Sequence, residues 1–560
     1  MGQGGRCSGM IRGFLALAAV GVLAGCSGGG GGGGGGIEGK AIVAAPSIVT
    51  TRLTLADVML SYESTLAATG SPDITWSVSG GSLPAGVSLS GAGTISGTPT
   101  VHGQFPVTID AVGPGGIDTK NFVFTVRPRT SLISVNSASQ QGNAESGAPP
   151  AYGGEAELSG DGRFVVFNSI AGNLVPGDTN GKRDVFVHDR STGDVSLVSF
   201  GLAGVPADGD SPLGAISEDG NVIAYHSFAA NLINGDQNGA GDVFVLDRHT
   251  QLTTRVSVTT LTGVEGICDV PPVGGLPCTS FDPHLNYDGN LVVFGSTFSN
   301  LVSGETNGQA DIFVHDRTTK VTERVSVGQA GLESDGFSGN PGISADGRYV
   351  VFESKGTTLI RAGQDTNGFS DIFVHDRATG LTTRVSVGAG GVEGNDHSFT
   401  PSISRDGRIV AFWSLANNLV VNDTNGVADV FVVDWQSASP TMRRVSVDQN
   451  GIEGNGESRV PMLSRDGRFV VYESDASNLI GGGQDTNGHT DIFVVDTEPG
   501  AVNPVRRVSV DGDGAEAVGG ASFFAAISAD ARFISYTSRA TNLVSNDLNG
   551  VGDVFVTQRP

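Results

Sequence analysis

Gly342-Ile343-Ser344-Ala345-Asp346-Gly347-Arg348 leads into Tyr349-Val350-Val351-Phe352. A loop ending Asp365-Thr366-Asn367-Gly368 follows, then Asp371-Ile372-Phe373-Val374-His375-Asp376-Arg377 and Thr383-Arg384-Val385-Ser386-Val387. The four apolar runs are strand-length, rich in β-branched and aromatic residues, and separated by turn residues. A unit of four short strands, repeated at roughly 60 residues, is the pattern of a propeller blade.

Working outward, the Asp-Gly turn recurs at Asp161, Asp219, Asp288, Asp346, Asp406 and Asp466, with Asp530-Ala531 as the seventh copy. The third run recurs at Val185-Phe186-Val187, Val243-Phe244-Val245, Ile312-Phe313-Val314, Ile372-Phe373-Val374, Val430-Phe431-Val432, Ile492-Phe493-Val494 and Val554-Phe555-Val556. The fourth run recurs before residues 199, 259, 328, 388, 448 and 511, and its seventh copy, Ser131-Leu132-Ile133-Ser134-Val135, stands ahead of the first unit. This offset predicts a ring closed by pairing the first strand of the region with the last, which leaves no blade edge bare. The expected fold class is all-β: a seven-bladed propeller over 129–557 with this Velcro closure, preceded by an Ig-like β-sandwich.

That sandwich is expected over 44–127, where period-two runs such as Ile74-Thr75-Trp76-Ser77-Val78 and Asn121-Phe122-Val123-Phe124-Thr125-Val126 alternate with turn signals. Upstream, Arg6 and Arg12 precede a short apolar run from Phe14 to Leu23, followed by Leu23-Ala24-Gly25-Cys26, Ser27 and nine glycines, Gly28 to Gly36. The run is too short for a spanning helix and reads as a signal segment, 1–25, before a flexible tether, 26–43. Cys268 and Cys278 share one insertion and are expected to form a disulfide in an oxidising compartment.

Three resemblances extend this reading. Leu23-Ala24-Gly25-Cys26 resembles a bacterial lipobox, which implies lipidation of Cys26 and, with serine next, an outer-membrane anchor facing the periplasm or the surface. Leu83-Pro84-Ala85-Gly86-Val87, Gly93-Thr94-Ile95-Ser96-Gly97-Thr98-Pro99 and Gly103-Gln104-Phe105-Pro106-Val107 resemble the Ig- or cadherin-like modules of bacterial surface proteins, which implies a spacer or adhesion role. The Ser-x-Asp-Gly-Arg turn followed by Asp-Ile-Phe-Val-x-Asp resembles the repeats of TolB-like, WD40-like propellers and covers about three quarters of the chain, which implies the fold and little about function.

The formal charge of −25 disfavours nucleic acid as a partner and favours cations or basic surfaces. The loop between second and third runs reads acid-x-Asn-Gly-x-x-Asp in every unit: Asp178, Asn180 and Asp184; Asp236, Asn238 and Asp242; Glu305, Asn307 and Asp311; Asp365, Asn367 and Asp371; Asp423, Asn425 and Asp429; Asp485, Asn487 and Asp491; Asp547, Asn549 and Asp553. Two readings stand. Asn-Gly makes a tight turn and the aspartate caps backbone donors, or the oxygens form part of a Ca2+ shell. One loop is short of a full shell. Loops leading from one unit to the next are also acidic (Asp208 and Asp210, Glu265 and Asp269, Glu333 and Asp335, Glu393 and Asp396, Glu453 and Glu457) and are expected on the same face. His188, His315 and His375 share a position that other units fill with Leu246, Val433 and Val495, so they read as strand residues. There is no His-Glu-x-x-His, P-loop or Rossmann pattern, and the only Gly-x-Ser-x-Gly, Gly25 to Gly29, straddles the lipobox. The sequence therefore favours a non-enzymatic envelope lipoprotein that presents a propeller to a protein or glycan, tethered to the membrane by lipid. The alternatives are a glycan lyase or hydrolase with residues gathered in the central funnel, and a purely structural surface protein.

Overall fold

The computed structural model describes residues 43–147, 156–269, 272–275, 277–481, 483–501 and 504–559. The expected signal segment, Cys26 and all but the last residue of the tether lie outside the described residues.

The N-terminal domain is a sandwich. One sheet orders Ala56–Asp57, Gly116–Arg127, Gly103–Gly113 and Thr75–Gly81; the facing sheet orders Tyr62–Thr65, Thr94–Gly97 and Val87–Leu89. Alternation along these strands sends Trp76, Ile95, Ile109 and Phe124 into one core.

The remainder forms four-stranded antiparallel sheets in a propeller-like arrangement. In the unit quoted above the strands are Ser338–Ile343, Tyr349–Ser354, Asp371–Asp376 and Leu381–Arg384, hydrogen-bonded in that order. Seven such sheets occur among the described residues, numbered here in chain order. The seventh joins Ser522–Ile527, Phe533–Ser538 and Asp553–Gln558 to Thr130–Leu132 from the start of the region, in the register Thr130↔Thr557, Ser131↔Val556 and Leu132↔Phe555.

The repeat motif has a mechanical explanation. Asp346 accepts from the Ser344 hydroxyl at 2.7 Å and the Arg348 N–H at 3.0 Å, while Ser344 Oγ accepts the Tyr349 N–H at 2.9 Å. Gly347 supplies the positive φ of +73° that the turn requires, and its seventh counterpart, Ala531, takes φ 56° with a side chain. Arg348 then forks onto Asp376 across the second and third strands, with both bonds at 2.8 Å. The core lies between adjacent sheets: Val293 and Ile312 of the third pack with Phe352 and Phe373 of the fourth.

The sandwich is docked on the first sheet. Arg127 holds the Asp57 carboxylate with two bonds, at 2.9 and 2.8 Å, and Arg190 adds a third at 3.1 Å. Arg190 is buried and lies 4.0 Å over the Phe533 ring. The Leu55 N–H donates to the Ser191 carbonyl at 2.8 Å. Cys268 and Cys278 are bonded, with Cα atoms 6.0 Å apart.

Candidate ligand chamber and the repeated acidic loops

The seven acid-x-Asn-Gly-x-x-Asp loops are stapled into the fold. Each asparagine side-chain oxygen accepts the N–H two residues on. Each asparagine amide donates to a carbonyl of the adjoining inter-sheet loop, as Asn425 does to Gly454 at 3.0 Å. Each final aspartate, fully buried, accepts a serine hydroxyl from just beyond the fourth strand: Ser199 on Asp184, Ser257 on Asp242, Ser326 on Asp311, Ser386 on Asp371, Ser446 on Asp429, Ser509 on Asp491 and Ser134 on Asp553. Burial pushes Asp184, Asp242 and Asp553 up to about 6.

In five loops an arginine Nη1 stands among the carboxylates. Arg255 meets Asp236, Asp242 and Glu265 at 3.1–3.2 Å. Arg324 meets Glu305, Asp311 and Glu333 at 2.9, 3.5 and 2.9 Å. Arg384, Arg444 and Arg507 repeat the arrangement with Asp365, Asp371 and Glu393; Asp423, Asp429 and Glu453; and Asp485, Asp491 and Glu516. The inter-sheet acids thus do approach the loops, but in these five the residues do not fit a Ca2+ ion, because the guanidinium occupies the place a cation would take. The carboxylate oxygens of Glu305, Asp311 and Glu333 lie within 4.8 Å of one another around Arg324, and burial with the Asp311 charge holds Glu305 well above the usual carboxylate range. Two loops differ. In the seventh sheet Gln141 donates to Asp547 and Asp553 at 2.8 and 2.9 Å. In the first, Leu197 and Pro206 take the arginine and glutamate positions beside Asp178 and Asp184.

His188, His315 and His375 are buried side chains bonded to Ile133 O, Thr322 Oγ1 and Thr382 Oγ1, each at 2.9 Å. Burial lowers the pKa of all three.

The first strands line a central channel with two chambers. The upper one, about 150 Å3, draws on every sheet: Glu157, Gly214, Asp282 with His284, Asn340, Thr400, Val460 with Met462, and Phe524. Five of these residues stand at one bulged position. Asp282, Asn340, Thr400, Val460 and Phe524 have φ between 45° and 54°, and the register with the second strand slips there in each case. A bulge re-aims its side chain, and these line the chamber. Two of the turned N–H groups are satisfied by the neighbouring sheet: Thr400 N donates to Glu353 Oε2 at 2.9 Å and Phe524 N to Glu473 Oε2 at 3.2 Å. Non-glycine residues at positive φ carry strain and cluster where a structure is used.

The chamber is acidic. Burial pushes Glu157 up to about 7 against the pull of the Ile216 N–H. Burial and the Glu353 charge push Asp282 up to about 7. His284 Nδ1 lies 3.5 Å from Glu157 Oε1, and burial holds its pKa down to about 4. Further along the first strands, three residues past the bulge in the last five, stands an aliphatic ring of Leu158, Ile216, Leu285, Ile343, Ile403, Leu463 and Ile527, which lines a second, lower chamber of about 170 Å3. Beyond the ring, Tyr287 is covered by Arg405 and Arg465, with guanidinium carbons 4.7 and 5.0 Å from its ring, and Arg465 pairs with Glu218.

No sequence-predicted site residue lines the upper chamber. A signal was present: Ser280-Phe-Asp-Pro, Ser338-Gly-Asn-Pro, Ser398-Phe-Thr-Pro and Ser458-Arg-Val-Pro place proline one residue after the bulge in four first strands. A repeated proline inside a strand marks an interrupted ladder.

Residues 42–128 match the family described as "Putative Ig domain". No curated protein matches the chain. Among solved structures, a TolB-type protein from Agrobacterium tumefaciens is 16% identical, covering 66% of this chain and 94% of that one with a TM-score of 0.33. A quinoprotein alcohol dehydrogenase-like protein from Bacteroides thetaiotaomicron is 11% identical, covering 83% and 96% with a TM-score of 0.33. The tricorn protease is 12% identical, covering 83% of this chain and 41% of that one, with a TM-score of 0.38. These are likenesses of propeller form.

Proposed function

We propose that this chain is a cell-envelope lipoprotein, anchored through Cys26 to the outer membrane. It presents a seven-bladed propeller, closed by the 130–132 strand, as a non-enzymatic binding scaffold for a protein or glycan. The observation that carries the reading is the upper chamber: one asymmetric, polar cavity assembled from all seven sheets on strained backbone. Polar groups converging in a concave site of this kind are what ligand recognition requires. The sandwich, tied to the first sheet by Asp57, Arg127 and Arg190, acts as a fixed stalk above the glycine tether.

The test is a thermal-shift screen of envelope peptides and oligosaccharides against the full mature protein. A ligand should raise the melting temperature, and Glu157→Gln with Asp282→Asn should abolish that shift while the unliganded protein stays folded. Ligand shifts that persist in this variant would overturn the chamber as the site. Incorporation of a fatty-acid probe should depend on Cys26; labelling of Cys26→Ala would overturn the anchor.

Two further readings have specific observations behind them. An enzyme using the funnel is favoured by Glu157 and Asp282, which retain protons near neutral pH and face a cavity with His284; turnover of glycan substrates lost in Glu157→Gln would establish it. Calcium is favoured at the first and seventh sheets, where among the described residues no arginine pairs with Asp178, Asp184, Asp547 or Asp553, and only the neutral Gln141 amide bridges the last two. Calcium should then raise the melting temperature beyond sodium chloride at equal ionic strength, and Asp178→Asn with Asp547→Asn should remove the difference.

A further inference from the structure

We propose that the upper chamber receives the terminal sugar unit of a neutral or amino-sugar glycan, with the preceding units lying on an aromatic ladder at its rim. This rests on the reading of the chamber as the ligand site and names its ligand.

The ladder runs Phe369, His397, Phe399, Trp413, with successive ring centroids 4.9, 5.4 and 4.6 Å apart, and all four side chains are half-buried. It is joined to the chamber, because Trp413 Nε1 donates to Oγ1 of chamber-lining Thr400 at 3.3 Å. His397 Nδ1 accepts the Ser370 N–H at 2.8 Å, which leaves the ring proton on Nε2 as a donor. His397, Phe399 and Trp413 lie over one another, so the run presents ring edges and its outer faces, a rigid apolar surface with polar tips that suits the C–H faces and rim hydroxyls of sugar rings.

Inside, Glu157, Asp282, His284 and Asn340 are planar groups that accept or donate in their own plane, set among prolines, Met462 and Phe524. A pyranose has that mixed character. An extended peptide needs free backbone partners, and two of the bulge N–H groups, on Thr400 and Phe524, are already taken by Glu353 and Glu473. With the aliphatic ring between the chamber and the lower one, entry of a chain by its tip is the arrangement inferred. About 150 Å3 admits one ring. The charge decides which ring. Glu157 and Asp282 face the space with Glu353 and Glu473 behind them, and the rim cation, Arg459, is engaged by Glu457, Glu473 and Asp475. A uronic or sialic acid tip would bring its charge among acidic groups with no free cation at the chamber among the described residues, and would stay unpaired.

The experiment is a glycan array of oligosaccharides immobilised at the reducing end, sharing one core and differing in the last unit: neutral hexose, N-acetylhexosamine or uronic acid. Neutral or N-acetylhexosamine tips should bind at least tenfold better than uronate tips. Trp413→Ala should remove the gain from lengthening the core, Trp413→Phe should keep it, and Asp282→Asn should weaken every tip tenfold or more. On the unmodified protein the free monosaccharide of the tip should compete, and a cyclic oligosaccharide with no terminal unit should not. Equal binding of all tips, preference for uronate, competition by the cyclic sugar, or no glycan bound would each overturn the inference. A peptide whose thermal shift depends on Glu157 would overturn it while leaving the chamber as the ligand site.

Discussion

The acidic loops at the sheet edges and the residues around the channel axis follow opposite rules. At the edge each of the seven sheets spends its acid-x-Asn-Gly-x-x-Asp motif on the same Asx turn and the same serine–aspartate staple, and five add the same arginine. At the axis the bulged position holds Asp282, Asn340, Thr400, Val460 and Phe524 in turn, no two alike. Repetition marks what every unit needs in order to stack on its neighbours. A site on the axis exists once, draws different residues from each sheet, and is free to be asymmetric. Conspicuous recurrence of charged residues is therefore evidence of structure here, and divergence at an equivalent position is the better guide to function.

The comparison can be broken experimentally, starting with the largest effect. Removing residues 129–137 takes away the fourth strand of the seventh sheet together with buried Ile133 and Val135, and should cost roughly 5 kcal/mol from apolar burial and a bared edge. A urea melt reads it; a loss under 1 kcal/mol would show that the ring does not depend on this strand. Asp429→Ala at the edge leaves the Ser446 hydroxyl without its acceptor and removes one of the three carboxylates around Arg444, and should cost about 1–3 kcal/mol. Little or no loss would mean that the loop is there for a ligand.

Glu157→Gln and Asp282→Asn at the axis should act in the other direction. These acids bind protons more tightly folded than unfolded, so their contribution to stability is complete below about 4.5 and is lost as pH rises through about 7. Each neutral variant should be more stable than the parent at pH 8, by up to about 3 kcal/mol, and equal to it near pH 4. Destabilisation at pH 8 would place these residues with the structural class. Asp57 has the opposite sign. Burial alone would raise it, but Arg190 and Arg127 outweigh that and hold it below the usual range, so the latch to the sandwich is intact above about pH 4 and fails as pH falls through the lowered value. Proteolysis between the domains should accelerate in acid, and Asp57→Asn should show that fast cleavage at neutral pH. The smallest effect belongs to Ala531→Gly, which relieves a positive φ that the other six turns assign to glycine and should stabilise by about 0.5–1 kcal/mol.

The strand pattern, the turns, the offset fourth strand and the cysteine pair are local or periodic features, and each can be read along the chain because its residues are close in sequence or recur at a fixed interval. The calcium reading reached its limit in the same sequence. Arg324 lies 19 residues from Glu305 and 9 from Glu333, and whether its guanidinium or an ion stands between them depends on how the fourth strand pairs with the third. The chamber is further still from the linear order. Glu157 and His284 face each other from different sheets across the axis, and Asp282 owes its raised pKa first to burial and then to Glu353 in the next sheet. The sequence alone determined the unit and its repetition, since hydrophobic period and turn chemistry are encoded within a few residues. Only the tertiary structure decided what the axis holds, because the propeller-like arrangement brings residues from strands far apart in the chain into a single low-dielectric space.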